Sequence, residues 1–472
     1  MKELLNLYAE HYRHPPQRLE EIPRSVSARR YYRMFGEGGT VIGTWSPDIN
    51  ETEAFVHFTE HFRSAGVQVP EVFVVSNDRK FYLQEDLGDQ RLHELVVARN
   101  EDELGPDLVE RYRQSLEELL KLQLKGGQDV DYSLCVPRPA FDAQSVLWDL
   151  NHFKYYFLKL SGVPFDEQKL ESEFQAFATH IESLPLQGFM FRDFQTRNIM
   201  IRDGKPWLID YQGGRRGPLQ YDLASLVYES KAGLTSADRE KLVGYYIENL
   251  AGYLDVNREE FMADFYTVAL VRSLQVLGAY GLRGIVEKKA VFLQSIPAGL
   301  GNMGEILGKV DKKIVGEYLH GLLNELVGTR DRYREMPPVA DMLTLTIFSF
   351  SYRKPLPDDL SGNGGGYVYD CRWIKNPGLL DEYRLQTGLD EGVVEYLEAD
   401  PGVKKFSDSI RKQLLEAITV YKERAYRHLM VSFGCTGGRH RSVYLAHEIA
   451  AWARNQEGVR VLEIHRELGK EY

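Results

Sequence analysis

Cysteine is scarce: three residues in 472, Cys135, Cys371 and Cys435, scattered along the chain. That excludes a disulfide framework or a Cys-rich zinc site, and a reducing, cytosolic compartment is expected. Long apolar runs are missing too. No stretch approaches the ~18 uninterrupted apolar residues of a membrane helix, so no membrane span is expected. The opening residues MKELLNLYAE have no basic segment leading into an apolar one, and no signal peptide is expected. An excess of positive charge is also absent: 58 Lys+Arg stand against 69 Asp+Glu, a formal net charge of −11. That argues against a protein that coats nucleic acid, though not against a local basic patch. There is no repeat of solenoid period, and the only low-complexity patch is Ser361 to Gly366, SGNGGG.

The remaining composition, 43% hydrophobic and 27% charged, is that of an ordinary globular chain. The length suggests about three compact units. Charge is unevenly shared between them. From Asp341 onward there are 18 basic and 19 acidic residues, near −1, so about −10 falls on the first 340. The best boundary is the polar stretch Gly328 to Ala340, which ends near Pro337-Pro338. We therefore expect a first module over 1–328, a linker over 329–340 and a second module over 341–472.

In the first module, short strands are expected around Gly36 to Gly39 and in 71–87, with an amphipathic helix at 50–66 between them. Helical periodicity follows from Leu108 onward. A strand-rich lobe (about 1–88) before a helical lobe (about 89–328) reads as α+β, not a doubly wound sheet. In the second module, strands at 343–350, 366–371, 429–433 and 459–464 alternate with helices at 403–423 and 442–453. That pattern predicts a small α/β domain with a partly parallel sheet.

The most informative stretch is Phe189 to Gln212, FMFRDFQTRNIMIRDGKPWLIDYQ. Asp193 and Asn198 are five apart in a turn, and Asp210 closes an apolar strand. A lone aspartate of this kind usually caps a turn. The ordered set instead matches phosphoryl transfer. One carboxylate, Asp193, accepts the proton of the attacking hydroxyl. An amide oxygen, Asn198, and a second carboxylate, Asp210, hold magnesium against the phosphates of ATP.

These residues, with GPLQYDLASL at 217–226, resemble the aminoglycoside phosphotransferase/choline kinase family. Within it they are most similar to the bacterial anomeric kinases of N-acetylmuramate and N-acetylglucosamine. The resemblance covers roughly residues 20–325. It implies a bilobal protein-kinase-like fold with ATP between the lobes and a small hydroxylated acceptor, an amino sugar above all. It places Ser27, Ala28, Arg29 and Arg30 over the phosphates and Glu85 to Leu87 beside the adenine. It also implies that Asp222 braces the catalytic loop, against the plainer alternative of a helix N-cap. Two positions depart from the family. Phe191 stands where kinases usually carry His, and the strand VIGTW (Val41 to Trp45) offers no lysine for the phosphates. Arg29, Arg30 or Arg33 are the candidates to replace it, with Glu53 as a brace for the cation.

Phe433 to Ser442, FGCTGGRHRS, follows a strand and opens a helix. Glycines there let N–H groups converge on an anion, helped by the helix terminus and by Arg439, His440 and Arg441. The same spacing allows a cysteine-dependent phosphatase, with Cys435 as nucleophile and Asp358 or Asp359 as acid. However, TLTIFSFSYR at 344–353, YDCRWIKNP at 369–377 and this loop resemble the C-terminal domain of the RNase adapter RapZ. That resemblance implies a phosphosugar site at Cys435, Thr436, Gly437, Gly438, His440, Arg441 and Ser442, with Arg372 and Arg353 as weaker additions, and opens the prospect of an RNA or protein partner. Lys354 departs from the family pattern, and no G-x-x-x-x-G-K-[ST] precedes the domain. The expected function is an ATP-dependent sugar kinase with a phosphosugar-binding regulatory domain. The alternatives are a regulatory nucleotide- and sugar-phosphate-binding protein, or a kinase–phosphatase fusion.

Overall fold

In the computed structural model, which describes residues 2–22, 28–99, 101, 103–287, 289–334, 343–357, 359, 365–424 and 426–471, the chain divides into two units. One comprises Met1–Ile285 and Ser295–Tyr333, the other Val286–Gln294 and Arg334–Tyr472. Arg330–Arg334, at the start of the expected linker, is helical. The rest of that linker, 335–340, lies outside the described residues.

The first unit begins with helix α1, Lys2–Tyr12. A five-stranded antiparallel sheet follows, built from β1 (Arg18–Glu21), β2 (Arg30–Gly36), β3 (Gly39–Trp45), β4 (Val72–Val75) and β5 (Phe81–Glu85), in the order β1-β2-β3-β5-β4. Alternation sends successive side chains to opposite faces. Tyr32, Met34 and Val41 thus meet Leu4, Leu7 and Tyr8 of α1 in one small core. Helix α2, Ile49–Ser64, is capped by Asp48, whose carboxylate accepts from the Glu51 N–H. Its stripe Phe55, Phe58 and Phe62 is buried.

The second lobe of this unit is mainly helical. The buried helix Arg258–Tyr280 packs against Ala143–Phe153, Gln220–Val227 and Ile296–Leu307. Two two-stranded antiparallel sheets interrupt the helices: β6 (Gln187–Met190) with β9 (Arg215–Pro218), and between them in the chain the hairpin β7 (Ile199–Arg202) with β8 (Lys205–Leu208). Together the lobes form the kinase-like α+β fold expected.

The second unit is a five-stranded sheet of β10 (Leu343–Ser351), β11 (Tyr367–Asp370), β12 (His428–Cys435), β13 (Val459–His465) and β14 (Lys470–Glu471). The order is β11-β12-β10-β13-β14, parallel except for the last pair. β10 is buried along its whole length, as a central parallel strand should be. Helices Pro401–Glu423 and Arg441–Arg454 supply apolar faces to its core. Helix α1, whose Leu4, Leu7 and Tyr8 stand at helical spacing, and the short β1, β14 and helix Glu391–Glu398 are additions to the expected elements. No helix among the described residues is long and apolar enough to cross a membrane.

Candidate functional site

A cleft of about 340 Å³ opens in the first unit, a size suited to a small ligand. Arg29, just before β2, joins Tyr31, Arg33 and Ile42 of the sheet, and the end of β5 and the segment after it contribute Glu85 to Asp89. The opposite wall holds Asn198, Met200, Ile209, Asp210 and Gln212.

The wall carrying Asn198 and Asp210 is held by an unusual brace. Arg192 has φ +84°, a left-handed conformation that costs energy for a non-glycine residue. The fully buried Asp222 compensates. Its two carboxylate oxygens accept from the Phe191 N–H at 2.7 Å and the Arg192 N–H at 2.9 Å. Gln123 adds a third hydrogen bond. Burial drives the Asp222 carboxyl up to about 7 against these donors. Arg192 is further tied to Asp149 at 2.6 Å and to the Tyr221 hydroxyl at 2.8 Å. Replacing Asp222 by Ala leaves two buried N–H groups without acceptors, at about 1–3 kcal/mol each. We expect a correspondingly lower denaturation midpoint for this unit, measured by chemical denaturation; an unchanged midpoint would remove the brace.

On this frame the Asn198 amide nitrogen donates to the Asp193 carbonyl at 2.8 Å, which leaves the amide oxygen as its acceptor. The half-exposed Asp193 carboxylate accepts from Arg272 at 3.2 Å. Desolvation pushes this carboxyl up, but Arg272, then Arg192, Arg197 and Arg215, outweigh it and hold the group below its ordinary value. Asp210, also left-handed at φ +72°, is shifted the other way. Burial raises it, beyond what the Gln212 hydrogen bond and Arg29 offset.

Arg29 is 7% exposed and reaches two carboxylates at once. One guanidinium nitrogen lies 2.5 Å from Glu51 of α2, the other 3.4 Å from Asp210. One guanidinium thus links a carboxylate of α2 to the carboxylate that follows β8.

In the second unit, β12 runs into the glycine-rich loop and the helix Arg441–Arg454. Gly438 has φ +64°, and a side chain there would meet Glu467 and the backbone of Phe350 and Ser351. The Thr436 carbonyl accepts from Ser351 Oγ at 2.7 Å. Cys435 is 2% exposed, with its sulfur 3.2 Å from the Gly438 N and 3.1 Å from Ser442 Oγ. Burial alone would raise this thiol, but those hydrogen bonds and Arg441 lower it below its ordinary value.

Residues 18–261 match the phosphotransferase enzyme family. The chain belongs to that family. Residues 343–469 of the chain match the RapZ C-terminal domain. A nucleotide-binding protein of Acidothermus cellulolyticus is 39% identical over 133 residues, covering 27% of the phosphotransferase and 41% of that relative. One from Thermotoga sp. strain RQ2 is 29% identical over 218 residues, covering 46% and 70%. The chain spans 41% and 48% of two further such relatives, those of Novosphingobium aromaticivorans and Thermobifida fusca. Among solved structures, a choline/ethanolamine kinase family protein from Mesorhizobium loti is 15% identical with a TM-score of 0.44, covering 69% of this chain and 98% of its own. Amicoumacin kinase, solved with AMP-PNP and Ca²⁺, is 11% identical with a TM-score of 0.45, covering 70% and 93%.

Of the residues singled out in the sequence, Arg29, Glu85, Leu87, Asn198 and Asp210 line one cleft, and Asp193 is not among its lining residues. Ser27 lies outside the described residues. Arg30 is not among the lining residues; β2 alternation turns Tyr31 and Arg33 to the cleft and leaves Arg30 over the Trp45 ring. Ala28 is likewise not a lining residue. Arg33 lines the cleft and is paired with Asp86 at 2.6 Å, Asp89 at 2.9 Å and the Gly88 carbonyl. Glu53 is exposed, and Glu51 takes the bracing position instead. The missed signal was helical spacing: Glu51 shares the 51-55-58-62 stripe with the buried phenylalanines, whereas Glu53 falls off it. Phe191 is buried against Phe194 and Tyr211. Arg272 gave no sequence signal.

In the loop, the basic side chains contact backbone carbonyls, with Arg441 buried and Arg439 still exposed. Arg441 donates to the carbonyls of Arg372 and Ile374, His440 contacts the Tyr383 carbonyl, and Arg439 donates to those of Leu385 and Gln386. Arg372 is paired with Asp370 at 2.7 Å, and Lys354 with Glu467 at 2.5 Å. Arg353 is exposed. For the phosphatase alternative, the thiol is buried, Asp359 accepts from the Gly365 N–H, and Asp358 lies outside the described residues.

Proposed function

We propose that the phosphotransferase moves the γ-phosphoryl group of ATP to a hydroxyl of a small molecule, with an amino sugar as acceptor. The observation that carries this is Arg29, paired with Glu51 and Asp210, lining with Asp210 the same cleft as Asn198, whose amide donates to the carbonyl of Asp193. Asp193 accepts the hydroxyl proton as its oxygen attacks. Held below its ordinary pKa by arginines, it is ionised and ready at neutral pH. Arg29 meets phosphate charge, and the segment Glu85 to Leu87 borders the adenine. The oxygen of Asn198 and the carboxylate of Asp210 are hard donors and fit Mg²⁺. When bound, that ion neutralises charge on the phosphates. Three free, buried cysteines fit a reducing, cytoplasmic setting.

The test is ATP consumption by the full chain against a panel of amino sugars, neutral sugars and amino alcohols. Turnover confined to amino sugars supports the reading. ATP binding with no turnover on any acceptor favours a regulatory nucleotide-binding protein, with RNA or a protein as its partner.

For the second unit we propose binding of a sugar phosphate at Cys435 to Ser442, through loop and helix N–H groups. This domain then reads product or a related metabolite. Full-length protein should bind hexosamine phosphates by calorimetry with Kd below about 1 mM. Gly438→Ala, strained at positive φ and crowded by the Ser351 backbone, should abolish it. Equal binding by both proteins would place the ligand elsewhere.

A further inference from the structure

Away from the cleft and from residues 435–442, three ligand-type side chains converge between the last parallel strand and the helix that follows the glycine-rich loop. Glu463 and His465 are two apart on β13 and so share one face, the face on which the helix Arg441–Arg454 packs. His447 comes from that helix. The His447, Glu463 and His465 donor atoms all lie within 4.8 Å of one another. Glu463 Oε1 sits at the centre, 2.8 Å from His447 Nδ1 and 3.0 Å from His465 Nε2.

We propose that His447, Glu463 and His465 form a Zn²⁺ site that ties this helix to β13.

Two imidazoles and one carboxylate make a donor set suited to Zn²⁺, with a fourth position for water. Four-coordinate Zn²⁺ takes N and O donors at about 2.0–2.2 Å, which spaces them about 3.3 Å apart. The observed 2.8 and 3.0 Å separations therefore need to open by only a few tenths of an ångström. The supporting groups are in place. Ser349, directly opposite His465 in the β10–β13 register, contacts His465 Nδ1 through Oγ at 2.9 Å, which orients the ring so that Nε2 points to the cluster. Arg454 holds Glu463 Oε2 at 2.7 Å, so the carboxylate offers a single oxygen. Glu463 and His465 are fully buried, while His447 is 53% exposed and gives the ion a route in and its water a place.

The test strips the full-length protein with chelator and titrates it with Zn²⁺ and then Co²⁺. We expect binding with Kd below about 1 μM and the intense visible absorption of tetrahedral Co²⁺. His447→Ala is the main variant, because an exposed side chain can be removed without unfolding the unit. It should weaken binding by more than the 10–100-fold that loss of an outer partner costs, and raise Zn²⁺-dependent thermal stability no further. Asp210→Asn, in the nucleotide cleft, should bind Zn²⁺ at this site as the wild type does. Equal affinity in wild type and His447→Ala, or no binding at micromolar Zn²⁺, overturns the proposal and leaves a hydrogen-bonded cluster.

Discussion

Replacing Asp193 by Asn is expected to lower kcat by about 10²–10⁴-fold and leave the KM for ATP near its wild-type value. The amide keeps the shape of the side chain and can still contact Arg272. It cannot take a proton from the attacking hydroxyl. A ground-state role in nucleotide binding would show instead as a raised KM with kcat preserved. The pH profile adds an independent check. The Asp193 carboxyl is held below its ordinary 3.8 by Arg272 and three further arginines. A base with a depressed pKa stays ionised as pH falls, so the acid limb due to this group should lie below that value. Removing one of the four cations, by Arg272→Gln, should move the limb upward. If wild type and Asp193→Asn consume ATP at the same rate, another group is the base.

Arg29→Met should reduce kcat/KM for ATP by about 10²–10³-fold, the scale of losing a preorganised charge partner. β3 contributes no lysine, and Arg33 is neutralised by Asp86 and Asp89. Arg29 differs in that it lines the cleft beside Asp210, and Glu51 holds its other guanidinium nitrogen. Glu51→Gln keeps the geometry but loses the charge, so its effect should be smaller. If both residues act through one contact, the double variant should cost much less than the sum of the singles. Additive losses, measured by steady-state kinetics on the four proteins, would separate them. Arg29→Lys is not expected to restore full activity, because an ammonium cannot span two carboxylates in the fork geometry of a guanidinium.

Much of the architecture was legible in advance because it rests on local regularities. Alternation marks β2 and β3, the 3.6-residue stripe marks α2, and an apolar, β-branched run marks β10 as a strand. The sequence Asp193-x-x-x-x-Asn198 with Asp210 beyond a short hairpin was legible for the same reason: these positions are close in the chain and their chemistry depends on spacing. Asp222 lies near enough to its motif to be tied to the catalytic loop. What it does there, accepting two N–H groups next to a left-handed Arg192, became clear only when the backbone was in place.

The sequence by itself determined the two-module order, the kinase-like and strand–loop–helix motifs, and the residue types available for phosphate chemistry. Tertiary structure decided which of those residues meet. Arg29, Arg30 and Arg33 are near neighbours in the chain, yet one joins Glu51 and Asp210, one rests over Trp45 and one is bound by the Asp86–Asp89 segment. Arg272 reaches Asp193 from 79 residues away, and His447 reaches Glu463 from a different element. The physical reason is the range of the forces. Periodicity and turn chemistry act over a few residues, whereas the pairing of charges is set where burial makes an unpaired charge too costly to keep.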